Sequence, residues 1–310
     1  MNNKNVVRDE NDASEEFGTQ EVKGEKQKNL WKRLSFRAKF WIVILIIFVI
    51  SLPGYLLGLT VRTYEVKDER ISGSLRIALI TDLHSCKYGK GQEKLLSVIE
   101  EQQPDVILLG GDIFDDKLSD DGTKEFLAGI ADQYLCYYVT GNHECWAGGN
   151  AFREKMDVLE SYGIPRLSGE DTLLTTGGGT VRLYGLDDPN IVLVEPNKHE
   201  GAQLSAFREE LSKDEFSILL SHRPELIESY AWAGFDLVLA GHAHGGQVRI
   251  PGIMNGFFAP NQGLFPKYAG GRYEKDGMVM IVSRGLAKES TSFPRFCNPP
   301  EVVIIELSGK

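Results

Sequence analysis

Residues 75–84 read LRIALITDLH and residues 106–116 read VILLGGDIFDD. Each is a short apolar run that ends abruptly at a turn and delivers an acid. Runs of this length, bounded by turn residues, read as buried strands. The pattern recurs three times. Residues 135–139 lead into Gly141-Asn142-His143-Glu144, 217–220 into His222-Arg223-Pro224, and 237–240 into Gly241-His242-Ala243-His244. Helical spacing is expected over 92–102 and near 122–133, 150–162, 202–212 and 224–232. Further strands are expected at 181–184, 278–283 and 302–307. Strands alternating with helices make an α/β domain.

The strand ends carry the chemistry. Five of them bear Asp82 with His84, then Asp112, Asn142, His222, and His242 with His244; ligand sites of open α/β sheets assemble at such ends. The chain has six histidines and five lie in these loops, His199 in NKHEG being the exception. A single DxH or GHxH is weak evidence, because a lone histidine is more often a hydrogen-bonded structural residue. Five such motifs in series require a shared site. Imidazole, carboxylate and amide donors together suit Mn, Fe, Zn, Ni or Co, and fit poorly with thiolate-only metals or an all-oxygen calcium cage. Seven candidate ligands exceed one tetrahedral shell, so two divalent ions are expected, bridged by a carboxylate such as Asp112. Two ions about 3.5–4 Å apart clamp a phosphate and generate hydroxide near neutral pH.

The ordered series DLH, GGDIFD, GNHE, SHRP and GHAH resembles the calcineurin-like metallophosphoesterase superfamily. The resemblance covers residues 75–310. It implies a four-layer α/β/β/α sandwich. It implies one metal on Asp82, His84, Asp112 and His244, and a second on the shared Asp112, Asn142, His222 and His242. His143 matches the catalytic histidine that is not a ligand, stabilising the transferring phosphoryl group and protonating the leaving oxygen while a metal-bridging hydroxide attacks phosphorus. Asp115 is expected to orient His143, and Glu144 to support the ligands from behind. The tail after His244, through GLFPKYAGGRY to FPRFCNPPEV, is similar to a bacterial branch of anchored or exported phosphodiesterases. That branch includes enzymes that cleave the pyrophosphate of UDP-2,3-diacylglucosamine. Arg223 and Arg249 are candidate contacts for a substrate phosphate. The stretch 252–276, rich in Gly and aromatics, reads as a loop over the site.

The N-terminal part has a different character. Residues 1–39 are polar and charged and are expected to form a disordered cytoplasmic tail. Residues 40–61, FWIVILIIFVISLPGYLLGLTV, carry no charge, long enough for one transmembrane helix across a hydrocarbon core of about 30 Å. The run lacks the polar stripe of a core helix, and no good small-residue cleavage site follows it. Seven Lys or Arg precede it and four follow at comparable distance, which predicts a cytoplasmic N-terminus and an extracytoplasmic catalytic domain over 62–310. The chain carries −10 overall; its charge is +2 through Val61 and therefore −12 beyond. A domain so acidic is repelled by nucleic-acid backbones, whereas bound cations reverse the sign locally for a phosphate substrate. Of four cysteines none forms CxxC; Cys86 and Cys145 read as small half-buried residues.

These readings converge on a membrane-anchored phosphoesterase, a phosphodiesterase for a lipid-linked or envelope substrate. A pyrophosphatase acting on a nucleotide-diphospho-lipid is the alternative and would place the domain in the cytoplasm. A non-catalytic scaffold is disfavoured, because every ligand position is filled.

Overall fold

The computed structural model of the protein describes residues 34–45, 58–176, 179–288 and 294–309. Its apolar runs pair into two sheets. The first has the spatial order β1 (Thr60–Lys67), β13 (Glu301–Ser308), β2 (Ser74–Ile80), β3 (Val106–Gly110), β4 (Leu135–Val139). The second runs β11 (Gly271–Lys275), β12 (Met278–Val282), β8 (Leu237–Ala240), β7 (Ser217–Leu220), β6 (Gly179–Gly185), β5 (Glu170–Thr176). Strands β2, β3 and β4 are mutually parallel, as are β6, β7, β8 and β12. A two-residue hairpin, β9 (Phe258–Ala259) with β10 (Gly263–Leu264), stands apart.

The all-apolar strands bury both faces, and their two-residue period sorts side chains between two environments. Ile77, Leu79, Leu108 and Val139 of the first sheet face Leu183, Ile218, Leu220 and Leu239 of the second. The alternate residues Ala78, Ile80, Ile107 and Leu109 turn outward to α1 (Glu93–Gln102), α2 (Asp121–Ile130) and α4 (Gly149–Ser161), through Leu95, Ile99, Phe126 and Leu159. On the far side Leu219, Val238 and Met280 meet Leu204 and Phe207 of α5 (Glu200–Glu210) and Ile227 and Tyr230 of α6 (Ile227–Ala233). The layers are therefore helix, sheet, sheet, helix. A short helix, α3 (Asn142–Trp146), opens directly at the end of β4.

The strands and helices expected beyond residue 61 are all present, with shifts of a few residues at their ends. Three edge strands, β1, β5 and β11, come in addition. The boundary expected at residue 62 moves: Thr60 and Val61 belong to β1, paired with Glu301 and Val302. A helix covers 36–45, which takes residues 36–39 out of the tail expected to be disordered. Ser35 starts that helix, its hydroxyl accepting from Ala38 N at 3.2 Å, the usual service of an N-cap serine. No helix among the described residues is long and apolar enough to cross a membrane. Residues 46–57, the greater part of the expected span, and residues 1–33 of the tail lie outside the described residues.

Candidate metal centre

The two sheets meet at the carboxyl ends of β2, β3, β4, β7 and β8. Pairing between β2 and β3 continues past the strands, with Asp82 N donating to Gly111 O at 3.0 Å and His84 N to Asp112 O at 2.9 Å. Across the sandwich, His222 Nδ1 lies 2.8 Å from Gly110 O. Five of the seven expected ligands, Asp82, His84, Asp112, His242 and His244, have φ between 47° and 64°. Left-handed backbone costs a non-glycine residue roughly 1–3 kcal/mol and concentrates at functional sites. Here it bends the chain out of each strand and across the sheet end. Close packing fixes the result. A Cβ on Gly141 would stand 2.2 Å from Asp112 Oδ1, and one on Gly241 would stand 2.6 Å from Asp82 Oδ2.

The donors gather into two clusters, with ligand atoms of Asp82, His84 and His244 within 4.8 Å of one another, and likewise those of Asp112, His222 and His242. Asp112 joins them: its Oδ2 is 3.5 Å from His84 Nε2 and 3.2 Å from His222 Nε2. Each imidazole is turned by what holds its other nitrogen. His84 Nδ1 faces Asp115 Oδ2 at 3.0 Å and His222 Nδ1 faces the Gly110 carbonyl, so both Nε2 atoms point inward. His242 Nε2 is 2.9 Å from Asn261 Oδ1, which leaves Nδ1 toward His222 at 3.2 Å.

Four buried donor atoms, His84 Nε2, Asp112 Oδ2, Asn142 Oδ1 and His244 Nδ1, have no hydrogen-bond partner among the described residues. Buried polar atoms are ordinarily paired, and leaving one unpaired costs about 1–3 kcal/mol. The only cationic groups within salt-bridge distance of Asp82 and Asp112 among the described residues are histidines. Burial opposes charge on His222, yet Asp112 outweighs it and pushes this imidazole up to about 10. Burial, then His222 and Arg223, hold His242 well below its ordinary range; burial, then His84 and Arg295, do the same to His244. Two carboxylates, an amide oxygen and inward imidazole nitrogens in one dry cleft fit divalent cations in charge and donor type.

His143 stands beside the clusters and keeps solvent access, its side chain 17% exposed. Its backbone N donates to Asp112 Oδ1 at 2.8 Å, which locks it to the central carboxylate. Its Nδ1 pairs with Asp116 Oδ1 at 2.7 Å, whereas Asp115 is 3.7 Å away. The expectation that Asp115 orients His143 is thus corrected. Asp115 Oδ1 accepts from Lys117 N and Leu118 N at 2.8 and 2.9 Å, and this turn aims its other oxygen at His84. Glu144 is a backbone clamp. Wholly buried, its carboxylate accepts from Asp112 N and Phe114 N at 3.0 Å each and from Gly141 N at 2.8 Å, tying the β3 and β4 loops together.

The two arginines part company. Arg223 is buried and forked onto Asp188, with Nη2 to Oδ1 at 3.0 Å, and its Nη1 approaches His242 Nε2 at 3.2 Å and Asn261 Oδ1 at 2.6 Å. It reaches the centre, but in an ion pair. Arg249 does not join the clusters; it bonds Asn255 and sits near Arg284. Asp116, Asp188 and Asn261 complete the surroundings of the site and were absent from the sequence-derived set. Only Asp116 had a local signal, as the second acid of FDD. Cys86 and Cys145 are fully buried, Cys145 packing with Phe152 and Ile191.

Comparison with known proteins agrees with this geometry. The sequence model of the calcineurin-like phosphoesterases matches residues 75–246. An uncharacterized metallophosphoesterase of Campylobacter jejuni is 28% identical over 93% of this chain and 74% of its own length. The phosphodiesterase YaeI of Escherichia coli is 28% identical over 82% of this chain and 89% of its own. Among solved structures, NAD nucleotidase of Haemophilus influenzae superposes with a TM-score of 0.50 at 17% identity, over 70% of this chain and 46% of that one, a likeness of fold alone.

Proposed function

The chain belongs to the calcineurin-like phosphoesterase family and is a metal-dependent phosphoester hydrolase, and from that premise we propose that it is a phosphodiesterase with a dinuclear centre. One ion would be held by Asp82, His84, Asp112 and His244, the other by Asp112, Asn142, His222 and His242. The observation that carries this reading is the set of four buried donor atoms, His84 Nε2, Asp112 Oδ2, Asn142 Oδ1 and His244 Nδ1, without a hydrogen-bond partner among the described residues. Two divalent cations there would supply Lewis acidity toward a phosphoryl oxygen and a water activated at neutral pH. The protein's own residues do the rest. Asp112, through Oδ1, fixes His143 N. Asp116 takes the Nδ1 side of His143, leaving Nε2 to donate its proton to the departing oxygen. The proton donor needs its other nitrogen held so that one tautomer and one ring orientation persist.

Preference for diesters rests on the relative named a phosphodiesterase. With manganese, the purified chain should hydrolyse bis-p-nitrophenyl phosphate faster than the monoester. No turnover with any of Mn, Zn, Fe, Ni or Co would return the scaffold reading. A membrane anchor within residues 40–59, ahead of β1, is part of the proposal and is supported by the charge-free run and the basic excess before it. A reporter fused to the C-terminus should be active outside the cell. If it is active only inside, the pyrophosphatase reading on a nucleotide-diphospho-lipid gains and the extracytoplasmic one fails.

A further inference from the structure

A cavity of about 750 Å³ is lined by Arg62, Arg249 and Arg284 and by no acidic side chain. It adjoins the metal centre, for Gly285, the neighbour of Arg284, packs so closely on Asp82 that a Cβ would stand 2.5 Å from its Oδ2. Arg284 is buried and held by Glu301, with Nε to Oε2 at 2.6 Å. Arg62 Nε reaches the same oxygen at only 3.7 Å. Arg249 has a neutral partner, Asn255, and its Nη1 is buried with no acceptor among the described residues. Two guanidinium groups therefore share one carboxylate and the third, Arg249, pairs among the described residues only with an amide, in a part of the chain whose overall charge is −12. A buried charged donor left unpaired costs more than a neutral one. An anion entering the cavity would remove that cost.

Beside the arginines the lining includes the apolar Val61, Pro251, Ile253 and Met254. Ile253 is 84% exposed, and farther along the same segment Leu264 and Phe265 are 61% and 66% exposed, with Phe257 and Phe258 also outward. Aliphatic and aromatic side chains projecting beside basic ones suit the boundary between headgroups and acyl chains. Free phosphate would make no use of this rim. The chain itself indicates the partner, because Thr60 and Val61 line the cavity and the charge-free run of residues 40–59 ends there.

We propose that the Arg62–Arg249–Arg284 cavity binds the phosphate of an anionic membrane lipid, with exposed apolar side chains of residues 250–265 among its acyl chains, so that the metal centre is held at the bilayer surface. The inference shares with the proposed function only the placement of residues 40–59 at a membrane, and its test reads binding rather than turnover.

The full chain, purified in a non-ionic detergent, is titrated calorimetrically with dihexanoyl-phosphatidylglycerol, dihexanoyl-phosphatidylcholine and inorganic phosphate. Phosphatidylglycerol should bind saturably and tightest. Arg249→Gln should weaken it about 10-fold, the loss of a charge-assisted hydrogen bond. Arg62→Gln, on a side chain 57% exposed and so without consequence for folding, should weaken it in the same direction. Ile253→Ser should weaken the lipid and leave inorganic phosphate unchanged. Asp112→Asn, which disables the metal centre, should leave lipid binding intact. Phosphatidylglycerol binding no tighter than inorganic phosphate, indifference to both arginine substitutions, or loss of lipid binding in Asp112→Asn would each overturn the proposal. Loss of hydrolysis alone would bear on the metal centre and leave this site standing.

Discussion

Gly141→Ala isolates the contact on which the centre depends. Gly141 has φ −107° and ψ −173°, extended backbone open to any residue, so alanine meets no conformational penalty there. The penalty is steric. Its Cβ would stand 2.2 Å from Asp112 Oδ1 and 2.4 Å from Asp112 N. An ordinary carbon–oxygen contact is about 1 Å longer, so either the carboxylate or the Gly141 loop must move by roughly that amount. Neither moves alone. Glu144 bonds both Gly141 N and Asp112 N, and Asp112 Oδ1 holds His143 N. One methyl group thus displaces the Asp112 carboxylate and His143 together.

A misplacement of about 1 Å in such a constellation costs on the order of 10²-fold in rate. Overpacking costs about 1–3 kcal/mol in stability, which in a domain of this size lowers Tm by roughly 2–10 °C. The assay is kcat/KM on bis-p-nitrophenyl phosphate with saturating manganese, beside metal content by elemental analysis and Tm by calorimetry. Gly201→Ala is the control. Gly201 lies in α5 with nothing within 4 Å of a Cβ, so that variant should keep full activity and gain up to about 1 kcal/mol. A Gly141→Ala enzyme with parental kcat/KM and parental metal content would show that Asp112 is not held by its neighbours.

Asp116→Asn should lower kcat about 10-fold or more with metal content unchanged, because Asp116 acts on His143; Asp115→Asn should instead weaken metal affinity roughly 10–100-fold through His84, and elemental analysis separates the two. His143→Ala should cut kcat by about 10²–10³-fold while the metals stay, with no recovery from added manganese. Chelation should abolish hydrolysis and lower the unfolding free energy by about 2.7 kcal/mol relative to metal at 100 times its Kd, and manganese should restore both in a concentration-dependent melt.

What the sequence revealed depended on whether a position's role is local. β2, β3, β7 and β8 are apolar at nearly every residue because both faces are covered, and such runs are legible without knowledge of their neighbours. β5 and β11 lie at the edge of their sheet and β1 at the edge of the other; with at most one face covered, EDTLLTT and GRYEK carry no clear alternation. β1 was hidden further by the apolar run that leads into it. The insertion of β13 between β1 and β2 joins residues more than 200 positions apart, and no local pattern encodes that pairing.

The site divides in the same way. Its seven donors were legible because each follows a strand end, and the strands were legible. The residues that aim those donors were not. Between Asp115 and Asp116 the sequence offers no choice; the decision is made by Lys117 N and Leu118 N, which capture one oxygen of Asp115 and turn the other to His84. Asn261 reaches His242 from a loop whose own path depends on Gly246 packing against Gly256. Arg249 has the chemistry of a phosphate contact, but four residues beyond Gly245 it lines a cavity apart from the clustered metal-type ligands. Its guanidinium is a cationic hydrogen-bond donor suited to an anion, and it faces a cavity lined by no acidic side chain. Divalent cations would answer the carboxylates of Asp82 and Asp112, while an anion would answer the surplus of arginine beside them. Because opposite charges are demanded on either side of Gly285, a ligand of one site cannot substitute for that of the other, and Asp112→Asn with Arg249→Gln should show additive rather than shared losses.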